Sequence, residues 1–483
     1  MPLAPLLPPY LFLCLHFGSV PGDALVAATL HTSLALTLQV LKSVGTAWLA
    51  AWLAFVVVYA ILAWRLDPER RLDGRSRRRL LAVTLTIAML SLVVRQVLPQ
   101  QLSLPALFEE QTVALTFPNN LVRSVQRVQR EHEATLRTVS LQGRPAAGTA
   151  SQPLLVVFVI GESVRPDHMS LFGYGRDTTP ALRGLASELI SYTDVASTAH
   201  YTEHAVRNLI TLPVGDRRAT LIRTLSEAGY RTGWFSNQER SYFSENADLS
   251  DHAKSDYDFH LRSDQVLIAP MQSMLRQAGD RQFIVLHTIG SHFPYEERYG
   301  ADAARFRPTL ADAGINRLPG PQFKAEAINS YDNTLLELDK LLAQVVATLR
   351  TERRPALLIF TSDHGENLFD DSRHLFMHAL HQPSSWDTRV PLLFWANDAF
   401  KATHPEAITQ LRAKAQRHVG HRDLFPTLLD LARVEWQGQR TSESLIRPEW
   451  TERARTIQSL DGHDRDHDEM RQAEQSAAAS APK

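Results

Sequence analysis

Cysteine is almost absent. Cys14 is the only one in 483 residues, and it lies in the apolar N-terminus. No disulfide can form within the rest of the chain, so that part must fold on its hydrophobic core alone, as a large domain can. Net charge is nearly absent too, at −1. A chain so balanced has no global electrostatic pull toward nucleic acid, and none is expected as a partner. Charge is scarcest at the start. From Met1 to Trp64 the only Asp, Glu, Lys or Arg side chains are Asp23 and Lys42. A basic segment ahead of the first apolar run is also missing, which argues against a cleaved secretory signal. No internal repeat is visible.

What is present at the N-terminus is apolar length. Ala24–Leu41, Ala47–Trp64 and Leu80–Val97 are each close to the ~20 residues that cross a bilayer as a helix. Arg95 sits near enough to the end of the third to reach the interface. A fourth stretch, Leu3–Val20, is broken at its start by Pro5, Pro8 and Pro9. Any one of these could be a buried core helix. Together, flanking the loop Arg65–Arg79 with its seven arginines, they read as three or four membrane spans. The positive-inside rule puts that loop in the cytoplasm and everything after Leu98 outside it. The side of the N-terminus depends on whether the first stretch spans.

The expected organisation is a transmembrane part at 1–99, a connector at 100–153, a catalytic domain at 154–460 and a disordered tail at 461–483. Within the connector, 121–139 has a helical pattern with a polar face. QGRPAAGTASQP (142–153) reads as a flexible domain boundary. The tail is charged and then Ala/Ser-rich, a composition that cannot bury enough apolar surface to order itself. Between them strand and helix patterns alternate. LLVVFVI, RTGWFS, QFIVLHT, ALLIFTS and VPLLFWA read as strands. LIRTLSEAGY, YDNTLLELDKLLAQVVATLR and HRDLFPTLLDLARV read as helices. The expected fold is an α/β sandwich with a mainly parallel sheet.

Two of these strands end in metal-ligand residues. LLVVFVIGES delivers Glu162, and ALLIFTSDHGE delivers Asp363 and His364. Ligands bind beyond the carboxyl ends of strands in open α/β sheets. Two carboxylates and an imidazole there suit a zinc-like ion, which activates an oxygen nucleophile. Glu162 alone would pass for a capping carboxylate; the Asp-His pair is more specific. The nucleophile belongs at a helix N-terminus, where backbone N–H groups help hold an anion. The stretch 197–213 offers Thr198 and Thr202, although threonine there also serves as a plain cap. His287 and His292 follow a strand and can bind a phosphate oxygen or protonate a leaving group. His378 follows His364 by fourteen residues and can serve the substrate or a second ion.

GESVRPDHMSLFGYGRDTTPAL (161–182) resembles the signature of the membrane phosphoethanolamine transferases, of the alkaline phosphatase/sulfatase superfamily. GYRTGWFSNQ (229–238), HTIGSHFPY (287–295), YDNTLLELD (331–339), SDHGENL (362–368), VPLLFW (390–395) and HRDLFPTLLDLA (421–432) follow in the matching order. The resemblance implies N-terminal transmembrane helices before an alkaline-phosphatase-like α/β/α sandwich, in a bacterial inner membrane with the catalytic domain in the periplasm. It implies a zinc ligated by Glu162, Thr202, Asp363 and His364, with Thr202 as the residue that becomes modified. His292 and His378 match histidines that bind the substrate phosphate or a second zinc. The donor would be phosphatidylethanolamine, and the acceptor a lipopolysaccharide core, lipid A or another envelope glycan. The chain departs from the pattern in its number of spans, its lack of periplasmic disulfides and its Ala-Ser-Thr-Ala-His-Tyr-Thr segment. The last two departures favour a core-oligosaccharide or other glycan acceptor over lipid A. A glycerophosphate head-group transferase and an inactive membrane-anchored scaffold are the competing readings. A sulfatase is disfavoured, since its usual Cys/Ser-x-Pro-x-Arg motif is not matched and the one cysteine is Cys14.

Overall fold

The structure is a computed structural model that describes residues 138–480, apart from 240–243, 245, 254–261, 278, 316–317, 372, 380–382 and 460–463, with a few residues between 50 and 61. The stretches Ala24–Leu41 and Leu80–Val97, the arginine loop and most of the connector helix lie outside the described residues. Residues 52–58 are helical. No helix among the described residues is long and apolar enough to cross a membrane. Arg127–Lys483 belongs to one compact unit, which contains everything below.

The unit is built on a seven-stranded sheet. In chain order its strands are β1 (Leu154–Gly161), β2 (Ile190–Tyr192), β3 (Arg231–Glu239), β4 (Leu249–Ala253), β5 (Arg281–His287), β6 (Ala356–Ser362) and β7 (Leu392–Ala396). The spatial order is β2-β7-β6-β1-β5-β3-β4. Strands β6, β1, β5, β3 and β4 are parallel neighbours, and β7 runs antiparallel to both β6 and β2. The mainly parallel sheet expected from the pattern is present.

Its strands are continuous apolar runs because both faces are covered. Val156, Phe158 and Ile160 of β1 join one core cluster with Leu221, Leu225, Phe425 and Leu428. Val157 and Val159 join the other, with Tyr331, Leu335, Leu338 and Leu342 of the helix Lys324–Arg350. Each such side chain contributes about 1.5–3 kcal/mol on burial. β1 is therefore fixed on both faces, and with it the residue that follows.

Two expectations are corrected. The segment 142–153 is not a flexible boundary. Arg144 and Pro145 pair antiparallel with Glu435 and Val434. Gly143 donates its N–H to Glu227 at 3.0 Å. Its lack of a side chain serves close approach, since a Cβ there would meet the Thr224 carbonyl oxygen at 2.2 Å. Residues 464–480 of the tail are not disordered either. Asp464–Asp466 forms a strand with Thr456–Gln458, and His467–Ser480 is a helix. Two of its charges are paired: Asp468 binds Arg455, and Arg471 donates to Asp194 at 2.9 Å.

Candidate metal centre

Register brings the site together. Gly161 of β1 lies opposite Ser362 of β6, and Ile160 lies opposite His287 of β5. Glu162 and Asp363 therefore leave the sheet side by side, and the Asp363 N–H donates to the Gly161 carbonyl at 2.9 Å. Ser163 then turns through a left-handed conformation, φ 59°, and donates its N–H to Asp363 Oδ1 at 3.2 Å. A non-glycine residue held there costs of order 1–3 kcal/mol, and such strain concentrates at functional sites.

The turn after β5 closes against Glu162 from the other side. The Ser291 N–H donates to the Glu162 carbonyl at 3.0 Å. Gly290 has φ +41°, and a Cβ there would meet the Glu162 carbonyl oxygen at 2.8 Å. Buried Asp264 holds this turn, accepting the Ile289 and Gly290 N–H groups at 2.9 Å each.

Thr202 is the first residue of the helix Thr202–Ile210. The preceding residue, Tyr201, makes no side-chain cap, so the first-turn amides are not satisfied that way. Thr202 Oγ1 donates to Glu162 Oε2 at 3.0 Å and lies 3.2 Å from His364 Nε2. His364 Nε2 is 3.3 Å from both Glu162 Oε1 and Asp363 Oδ2. His364 Nδ1 faces its neighbour's carbonyl, Gly365 O, at 2.8 Å, which leaves Nε2 as the ligand nitrogen. The structure thus gathers Glu162, Thr202, Asp363 and His364. Thr198 is not among them. Its hydroxyl is buried and has no hydrogen-bond partner among the described residues.

These donors fit a zinc ion. A tetrahedral ion with bonds of about 2.0–2.1 Å has ligand atoms about 3.3 Å apart, and the contacts above span 3.0–3.3 Å. Asp363 Oδ2 is buried and makes no hydrogen bond, an orphaned oxygen aimed at His364 Nε2. His378 is adjacent: one atom each of Glu162, His364 and His378 lie within 4.8 Å of one another. His378 thus stands beside the Glu162, Thr202, Asp363 and His364 set, close enough to serve an ion or the substrate. His378 lies between two left-handed residues, Met377 (φ 72°) and Ala379 (φ 60°). Its ring centroid is 4.1 Å from that of His364 and 5.9 Å from that of His292. His287 is not in the cluster. Its Nδ1 meets Ser236 Oγ at 3.2 Å and its ring packs on Trp234.

Three residues escaped sequence reasoning. Gln238 donates to Glu162 Oε2 at 3.0 Å and to the Thr288 carbonyl at 2.7 Å. Ser163 Oγ donates to Glu162 Oε1 at 2.8 Å. Buried Glu366 approaches His378 Nδ1 at 3.3 Å. Glu366 and Gln238 lie inside the motifs SDHGE and SNQ, so their place was visible though their role was not.

Glu162, Asp363 and Glu366 are all fully buried. Burial would raise the Glu162 carboxyl, but His364, His292, His378 and the Ser163 hydrogen bond hold it at about 2. Burial, then repulsion from Glu162, lifts Asp363 well above the carboxylate range. Burial also lifts Glu366. It pushes His292 down to about 4 and His378 to about 3, so both are neutral near pH 7. The metal-free site therefore stores a proton on Asp363 that a cation bound there must displace. Zinc affinity is expected to rise between pH 6 and pH 8, by up to about tenfold per unit for each proton displaced. Titration of zinc against a chelator at both pH values checks this. An affinity independent of pH would contradict the reading of Asp363.

A family model described as Sulfatase matches residues 155–434. The chain is 27% identical over 331 residues to "Phosphoethanolamine transferase EptC" of Escherichia coli K12, covering 64% of this chain and 56% of that protein. It is 29% identical over 299 residues to "Kdo(2)-lipid A phosphoethanolamine 7''-transferase" of Salmonella typhimurium, covering 57% and 50%. The matched part spans about half the length of these curated relatives. Among solved structures, the C-terminal periplasmic domain of EptC from Escherichia coli in complex with Zn is 25% identical, with a TM-score of 0.60. The likeness covers 67% of this chain and 96% of that one.

Proposed function

The chain belongs to the sulfatase family, and we propose that it transfers phosphoethanolamine from phosphatidylethanolamine to a cell-envelope glycolipid through a covalent intermediate on Thr202. The observation that carries this reading is the Thr202 hydroxyl, held at 3.0 Å from Glu162 and 3.2 Å from His364 at a helix N-terminus. The names of the curated relatives supply the group transferred.

Glu162, Thr202, Asp363 and His364 would hold one zinc, which supplies Lewis acidity that lowers the pKa of the bound hydroxyl. Thr202 Oγ1 attacks the phosphorus while its proton passes to Glu162 Oε2. The P–Oγ bond forms, the bond from phosphorus to the diacylglycerol oxygen breaks, and diacylglycerol leaves with the proton that Thr202 gave up. The N-terminal end of the helix Thr202–Ile210, with its positive dipole end, faces the anionic phosphoryl group. Neutral His378 can donate an N–H to its oxygens, whereas the His292 proton faces the Phe293 carbonyl at 2.6 Å, so neutral His292 offers its other nitrogen as an acceptor, for the ethanolamine ammonium or an acceptor hydroxyl. An acceptor hydroxyl or phosphate then attacks in line and releases Thr202. The apolar N-terminal stretches would anchor the site at the periplasmic face of the inner membrane, where the donor is concentrated. Lipopolysaccharide core or lipid A is the acceptor class.

The donor is tested with zinc-loaded full-length protein in mixed micelles, following diacylglycerol release. Release from phosphatidylethanolamine well above that from phosphatidylglycerol is expected. The reverse preference would assign the glycerophosphate reaction. No release from either would favour the scaffold.

A further inference from the structure

We propose that the C-terminal helix His467–Ser480 is a positioning element of the metal centre, acting through the segment Ser384–Arg389 on His364. The inference rests on the metal-site reading above. The helix lies beyond the residues matched by the family model, which end at 434.

The chain of contacts is short. Glu474 accepts the Ser385 N–H at 3.0 Å through one carboxylate oxygen, and the Ser385 hydroxyl donates to the other. His467 is fully buried, with Nδ1 2.9 Å from the Thr388 hydroxyl. These two side chains pin both ends of one tight turn, since Ser384 accepts from Thr388 Oγ1 at 2.9 Å and Arg389 N–H donates to Ser385 O at 3.0 Å. The turn in turn grips both halves of the site. Asp387 O accepts the Gly365 N–H at 3.0 Å. A Cβ at Gly365 would meet Trp386 O at 2.3 Å, so the two backbones cannot shift independently. Gly365 O is the group that faces His364 Nδ1, at 2.8 Å. On the other side Thr388 O accepts the Ser197 N–H at 2.8 Å, at the start of the segment that leads to Thr202.

Orientation of a metal-bound imidazole by the partner of its second nitrogen is worth about 10–100-fold in metal affinity. The tail helix controls that partner one residue removed. It is a positioning element and touches neither the reacting atoms nor the ion.

The test measures the zinc dissociation constant of the full chain in detergent by competition with a chelator. Glu474→Ala is expected to weaken zinc about tenfold. Arg471→Ala loosens the same helix by removing its ion pair with Asp194 but leaves Ser385 untouched. It is expected to bind zinc within about twofold of wild type. Should Glu474→Ala fail to fold, Glu474→Gln reads the same constant, with a smaller rise because one carbonyl oxygen remains to accept from Ser385. Unchanged affinity in the Glu474 variants would overturn the inference. So would an equal loss in Arg471→Ala, which would mean general loosening. Wild type that binds no zinc would instead sink the metal-site reading and this inference with it.

Discussion

Thr202→Ala is expected to lower phosphoethanolamine transfer by about 10^4-fold or more, the scale seen when a covalent nucleophile is removed from an enzyme. The expectation comes from place and not from residue type. Thr198 is buried ahead of the helix that Thr202 begins, but only Thr202 Oγ1 lies within 3.2 Å of two candidate ligand atoms. The Thr198 hydroxyl has no hydrogen-bond partner among the described residues, and the Thr198 carbonyl is spent on Gln458 N–H at 2.8 Å. Thr198→Ala should therefore retain most activity. Thr202→Ser keeps a hydroxyl at the helix start and should retain a measurable fraction. Steady-state diacylglycerol release from the three variants checks the ranking. Equal loss in Thr198→Ala and Thr202→Ala would remove the distinction on which the assignment rests.

Asp363→Asn is expected to abolish the stabilisation by zinc while leaving the metal-free protein no less stable. In the metal-free protein Asp363, Glu162 and Glu366 crowd three carboxyl groups into a fully buried site. Burial raises the folded-state pKa of Asp363, with repulsion from Glu162 adding to it. A carboxyl raised in the folded state contributes stability below its unfolded pKa, about 3.9, and that stability is lost as pH rises through the folded value. The metal-free wild type therefore loses stability as pH rises from the unfolded value toward the folded one. An amide of the same shape cannot ionise, so metal-free Asp363→Asn should unfold at or above the wild-type temperature. Zinc inverts the order. At a hundred times its dissociation constant it should stabilise wild type by about 2.7 kcal/mol and leave the variant unmoved. Thermal unfolding with and without zinc, at pH 6 and pH 8, measures both terms. Equal zinc stabilisation of the two proteins would contradict the assignment of Asp363 as a ligand.

Much of this site was readable because its chemistry sits at strand ends. A strand buried on both faces must be apolar throughout, so Glu162 and the Asp363–His364 pair stand out where LLVVFVIG and ALLIFTS stop. Apolar patterning likewise found five of the seven strands and residues 331–350 of the helix Lys324–Arg350, but not the edge strands Ile190–Tyr192 and Leu249–Ala253. It failed where function depends on position and not composition. Gln238 is uncharged and lies inside a strand, so nothing in its type announces a hydrogen bond to Glu162. The left-handed turn at Ser163 uses a residue that does not advertise it. The tail reads as solvated because its partners are remote: Glu474 finds Ser385 across 89 residues, and Arg471 finds Asp194 across 277. Local sequence cannot distinguish a charge that waits for such a partner from one that faces water. Gly143 shows the same ambiguity, since glycine that permits close packing looks like glycine that permits motion.

The most direct test of the central claim is to trap the covalent intermediate. Zinc-loaded full-length protein is mixed with phosphatidylethanolamine labelled in its ethanolamine group, without acceptor, then quenched, digested and analysed for labelled peptide. A phosphoethanolamine adduct on Thr202, formed with stoichiometric diacylglycerol and absent from Thr202→Ala, is the predicted result. Diacylglycerol released with no label on Thr202, or label persisting in Thr202→Ala, would contradict it.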